Sequence, residues 1–118
     1  MIDIAKGQGA SPGRATGPLA LTAEAAIAFA ARGTAAIFVR SEMDAADVPG
    51  IRASAGVVIA RGGITADGAV AARVLGKPCI VGCAALIVTS TEIRAGDALV
   101  MAGTAITIDG TTGEILRD

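Results

Sequence analysis

Residues 56–60 read GVVIA, an apolar run with no polar residue alternating into it. A strand with one wet face alternates apolar and polar side chains. An unbroken short run bounded by turn residues suggests instead a strand buried on both faces. The run is closed by Arg61-Gly62-Gly63, a turn. Ala35–Val39 (AAIFV) is a second buried-strand candidate. Between such runs lie segments rich in alanine, the best helix former. Thr22 is placed to cap a helix over Ala23–Arg32, with Gly33 ending it. Ser41–Ala55, with Asp44, Asp47, Pro49 and Gly50, predicts a short helix or turns.

After the Gly-Gly turn the pattern becomes helical again. Thr65 can cap a helix from Ala66 to Leu75, in which Ala66, Val70 and Val74 share one face at i, i+4 spacing. Gly76 terminates it and Pro78 prevents continuation. From there the chain is strand-rich: Cys79–Val81, Ile87–Thr89, Ala98–Met101, Ala105–Asp109 and Glu114–Leu116. Gly96-Asp97, Ala102-Gly103 and Asp109–Gly113 supply turns. The opening stretch Gly7–Gly17 (GQGASPGRATG) reads as loop, followed by a short strand at Pro18–Leu21. Periodicity therefore gives a small mixed α/β domain spanning residues 1–118.

The 118 residues suit one small core, and 53% of them are hydrophobic. Twenty-seven are alanine, so that core must be thin and closely packed. Phe29 and Phe38 are the only aromatic residues, which argues against stacking platforms for single-stranded nucleic acid. The net charge of −1 comes without a basic run, which argues against a nucleic-acid footprint. The longest apolar stretches are too short to span a bilayer, and the N-terminus lacks the basic start and apolar block of a secretion signal. A cytoplasmic location is expected. Cys79 and Cys83, with no histidine in the chain, make poor zinc ligands and read as small core residues kept reduced. No metal site is expected.

The stretch with chemical content is 61–82, RGGITADGAVAARVLGKPCIVG. A loop running into a helix start is a ready anion site. Arg61, Gly62 and Gly63 are candidate phosphate-binding residues. The alternatives are a solvated arginine and glycines that merely permit a tight turn. Arg73 leans towards a structural role, and Lys77 is expected at the last helical carbonyls. Asp67 in the first helical turn faces any bound anion. It also has a purely structural reading, since a carboxylate there is favourable with the helix dipole by about 0.3–1 kcal/mol.

Several islands, in order, resemble one family. Arg61-Gly62-Gly63-Ile64-Thr65, Ala69 through Arg73, Gly76-Lys77-Pro78 and Val81-Gly82 are similar to the phosphohistidine swivelling domain of phosphoenolpyruvate-utilising enzymes. Those enzymes include pyruvate phosphate dikinase, phosphoenolpyruvate synthase and enzyme I of the phosphotransferase system. Ala10-Ser11-Pro12-Gly13, Val39-Arg40 with Glu42, Asp47-Val48, and Asp109-Gly110 with Thr112-Gly113-Glu114 extend the resemblance over almost the whole chain, closest to the dikinase version.

The resemblance implies a swivelling β/β/α fold and a carrier role. The family pattern is Gly-Gly-x-Thr-Ser-His-Ala-Ala, and its histidine carries a phosphoryl group between two active sites. One of those sites lies on a nucleotide-binding (ATP-grasp) partner, the other on a barrel that binds phosphoenolpyruvate or pyruvate. Magnesium and ATP would belong to those partners and not to this chain.

The matching positions here are Thr65, Ala66, Asp67, Gly68 and Ala69, so Asp67 stands where the resemblance places histidine. A neutral ring nitrogen accepts phosphoryl groups, whereas a carboxylate repels the donor. The carboxylate also ends about 1 Å nearer the backbone, a misplacement that can cost about 100-fold in rate. Three readings follow: a non-catalytic or repurposed phosphotransfer module, an active domain carrying an acyl phosphate on Asp67, or a structural, interaction or regulatory module. An Asp67 introduced in place of a natural histidine fits the sequence equally well.

Overall fold

The computed structural model describes residues 1–64 and 66–118. The strands are β1 (Ile2–Lys6), β2 (Gln8–Ser11), β3 (Arg14–Ala20), β4 (Ile37–Arg40), β5 (Gly56–Ile59), β6 (Cys79–Val81), β7 (Ile87–Val88), β8 (Glu92–Ala95), β9 (Ala98–Met101), β10 (Ala105–Asp109) and β11 (Glu114–Arg117). The helices are α1 (Ala23–Ala31), α2 (Val48–Ala53) and α3 (Asp67–Val74). Eight strands form one sheet in the order β1-β11-β10-β3-β4-β5-β6-β2, and β7-β8-β9 form a second. Within the large sheet β3, β4, β5 and β6 run parallel, and α1, α2 and α3 are their successive crossovers.

The GVVIA run does what an unbroken apolar run requires. Val57 and Ile59 pack with Ala26 of α1, Ile51 of α2, and Ala69 and Ala72 of α3. Val58 and Ala60, alternating with them, pack on the other side with Ile93, Val100, Ile106 and Ile115. The same alternation holds in β4, where Phe38 faces the helices while Ile37 and Val39 face the strands, and in β6, where Ile80 faces the strands. The parallel strands thus lie between a helical layer and a β layer, a β/β/α arrangement. Alanine lines the helical side and isoleucine the strand side, so the helices sit close and the larger gap between β layers is filled.

Helix α1 begins as predicted, with the Thr22 Oγ1 accepting from the Ala25 N–H at 3.0 Å. The segment after β4 forms a 3₁₀ turn, Ala45–Asp47, and then α2, which carries Pro49 in its first turn. The C-terminal strands follow the predicted bounds closely, and Asp109 caps the β10–β11 turn by accepting from the Thr111 and Thr112 N–H groups at 2.9 and 3.1 Å.

One expectation fails. Gly7–Gly17 is not loop, because β2 and most of β3 run through it. Its small residues serve close backbone approach: a Cβ on Gly17 would lie 2.3 Å from the Ala35 carbonyl oxygen. Pro18 sits where β3 passes from pairing with β10 to pairing with β4, so its missing N–H interrupts neither ladder's interior. The face of α3 that carries Val70 and Val74 is the outward one. The helix's buried residues are Gly68, Ala69 and Ala72, while Val70 is 43% and Val74 80% exposed. The sheet leaves room only for the smallest side chains under this helix, so the larger valines turn outward.

Candidate functional site

The turn after β5 and the start of α3 form the candidate site. Gly62 has φ of 104°, a left-handed conformation that favours glycine, so the tight-turn reading of the Gly-Gly pair holds at this residue. Gly63 has open space around its Cα, and both glycines are exposed. The Ala66 N–H donates to the Gly63 carbonyl at 3.0 Å, and the Arg61 N–H donates to the Ser41 carbonyl at 2.8 Å. The loop is thereby hung from the end of β4.

The N-cap position of α3 falls on Ala66, whose methyl group cannot accept a hydrogen bond. Thr65, the expected cap and motif threonine, lies outside the described residues. Asp67 occupies the first turn and is exposed. Its carboxylate is the one acidic group at the positive end of this helix. Behind it, Gly68 is buried: a Cβ there would come within 2.7 Å of the Ile59 Cδ1 and 3.0 Å of the Met43 Cβ. The absence of a side chain on Gly68 therefore lets the first turn of α3 seat directly on the sheet.

Arg73 fills the structural role predicted for it. Its guanidinium donates to the Ile64 carbonyl at 2.6 Å and to the Ala10 carbonyl at 3.2 Å. It ties the loop before α3 to the end of β2. At the helix's other end, the Lys77 N–H donates to the Ala72 carbonyl at 2.8 Å and the Gly76 N–H to that of Arg73 at 3.2 Å. This is the paired C-terminal closure that a glycine one residue past the helix permits, and Lys77 meets the last carbonyls through its backbone.

Two other acidic residues, Asp47 and Glu92, are occupied. Asp47 is almost fully buried and accepts from Arg40 through both oxygens, at 2.9 and 3.0 Å, and from the Asp44 N–H at 3.1 Å. Glu92 pairs with Arg94. Among the described residues, no three His, Cys, Asp or Glu side chains come together in a way that would hold a metal ion. Cys79 and Cys83 are free thiols in the interior. Burial pushes the Cys79 thiol up to about 12, against the opposing charge of Arg73. Burial raises the Cys83 thiol as well, offset in part by a hydrogen bond from the Leu86 backbone. Both stay protonated at neutral pH and are poor nucleophiles there.

Sequence reasoning missed what surrounds the loop. Ser41 and the segment 82–88 close a cleft of about 510 Å³ against Arg61 and Gly62. These parts are far apart in the chain, and no local pattern joins them. No helix among the described residues is long and apolar enough to cross a membrane.

Comparison with known proteins agrees with this architecture. The profile of a family described as PEP-utilising enzyme, mobile domain, matches residues 33–113. Pyruvate, phosphate dikinase 2 of Oryza sativa subsp. japonica is 41% identical over 115 residues, which cover 96% of this chain and 13% of that protein. The chloroplastic pyruvate, phosphate dikinase of Flaveria trinervia and the chloroplastic pyruvate, phosphate dikinase 1 of Arabidopsis thaliana are each 42% identical over 115 residues, covering 96% of this chain and 12% of those proteins. The chain thus spans a small fraction of the length of the relatives it matches.

Proposed function

The chain belongs to the mobile-domain family of PEP-utilising enzymes, and from that premise we propose that it is a phosphotransfer-type swivelling module that carries no phosphohistidine. The observation that carries this reading is that Asp67 stands in the first turn of α3, directly after the Gly-Gly loop, in a chain without histidine. Asp67, with Thr65 beside it, takes the place of the phospho-accepting group. Its negative charge repels a phosphoryl donor where a neutral ring would attack it. An acyl phosphate on a carboxylate ordinarily calls for a metal ion to offset charge. The nearby carboxylate of Asp47 is already committed to Arg40.

The fold and its exposed loop are kept, so docking on partners outlives the loss of carriage. Those partners are a nucleotide-binding protein of the ATP-grasp type and a barrel protein that binds phosphoenolpyruvate or pyruvate. Magnesium and ATP act there and not on this chain. Two free buried thiols fit a reducing compartment, the cytoplasm.

Labelled phosphoenolpyruvate or ATP, supplied with dikinase partner domains, tests the reading. The expected result is no stable label on the wild type and acid-labile label on Asp67→His. Hydroxylamine-sensitive label on the wild type, absent from Asp67→Asn, would overturn it in favour of an acyl phosphate. If Asp67→His stays unlabelled, more than the acceptor has been lost and the module is one of assembly or regulation alone.

A further inference from the structure

The cleft behind the Gly-Gly loop has the makings of a ligand site in its own right. It lies where β4, β5 and β6, three adjacent parallel strands, end: Ser41 follows β4, Arg61 and Gly62 follow β5, and Gly82 and Cys83 follow β6. Its volume of about 510 Å³ suits a small molecule.

Its chemistry is one-sided. Among the described residues, Arg61 is the only charged one in the wall and no carboxylate lines the cleft. Arg40, Arg73 and Arg94 all have acceptors within the protein, but among the described residues neither the Arg61 guanidinium nor the Ser41 hydroxyl has one. Facing these donors, Leu86, Ile87 and Val88 form an apolar wall, and Ile87 is 60% exposed. The Cys83 thiol is held protonated by burial and does not repel an anion. The neighbouring groove around Arg40 has the opposite balance, because Glu42 lines it and Asp47 neutralises the arginine.

We propose that this cleft binds a small organic phosphate, with the phosphoryl oxygens on Arg61 and Ser41 and a short apolar body against Leu86, Ile87 and Val88. The site rests on cleft geometry and stands whether or not Asp67 ever carries a phosphoryl group. Asp67 is not among the residues that line it.

Binding of phenyl phosphate to the full chain, followed by amide chemical shifts, is the test. Saturable shifts are expected at Gly62, Gly82 and Ile87, with inorganic phosphate binding at least several-fold more weakly because it leaves the apolar wall unused. Arg61→Ala should weaken phenyl phosphate by about tenfold or more, since a charge-assisted bidentate contact is lost. Ile87→Asp, at an exposed position, should also weaken it by placing a carboxylate in the mouth. Shifts confined to residues 67–69 would overturn the proposal and leave only a helix end. So would equal binding of inorganic phosphate, or an Arg61→Ala variant that binds unchanged. Because no phosphoryl transfer is read, failure here leaves the Asp67 reading standing, and the converse holds.

Discussion

Helices α1 and α3 lie on the same face of the sheet and are built from the same small residues, but they are finished by different means. α1 is closed at its start by its own threonine, one turn away. α3 begins on Ala66, which offers no acceptor, and has only the charge of Asp67 at its positive end. The loop before α3 is held by Arg73, one of whose bonds reaches Ala10. Both helices leave large apolar residues exposed, Ile27 on α1 and Val70 and Val74 on α3. A helix whose ends are closed locally needs little from the rest of the chain. One whose start is held by long-range contacts keeps its first-turn amides available.

Phe38 gives the largest way to break this contrast. It is fully buried, and its ring lies 2.7 Å from where a Cβ on Gly50 would stand. Phe38→Ala should cost about 3–5 kcal/mol by chemical denaturation. Hydrogen exchange should quicken in α1 and α2 more than in α3, and equal loosening of all three would show that the helices are not separately anchored. Arg73→Ala should cost about 1–2 kcal/mol, through two lost charge-assisted hydrogen bonds. Its marker is faster exchange in the loop before α3, with α1 unchanged. Thr22→Ala should cost about 1 kcal/mol and loosen only the first turn of α1. Asp67→Asn should have the smallest effect, about 0.3–1 kcal/mol at low salt and vanishing at high salt, because only the helix dipole is involved. A larger loss that salt does not remove would reveal a specific partner for the Asp67 carboxylate.

Much of the fold was legible where local chemistry is decisive. Thr22, Gly33 and Gly76 mark helix ends through their own backbone and side-chain preferences. GVVIA and AAIFV mark buried strands because no polar residue interrupts them. Strand β8 (EIRA) and the strands through Gly7–Gly17 were not legible. Their residues are polar or glycine-rich, and only pairing with distant strands makes them extended. The buried face of α3 was not legible either, because periodicity counts apolar residues but not the space beneath them. In the site, the order of Arg61, Gly62, Gly63 and Asp67 could be read directly. The engagement of Arg73 and Asp47 could not, since each depends on a partner placed by the fold.

By itself, the sequence determined the succession of helices and strands and the presence of a carboxylate after the Gly-Gly turn in a chain without histidine. Those features follow from residue type and nearest-neighbour geometry. Tertiary structure alone decided which side of α3 is buried, which arginines are already occupied, and that the ends of three strands converge with the 82–88 segment on Arg61. Burial and pairing are properties of space that the chain encloses only after it has folded, so no window along it contains them.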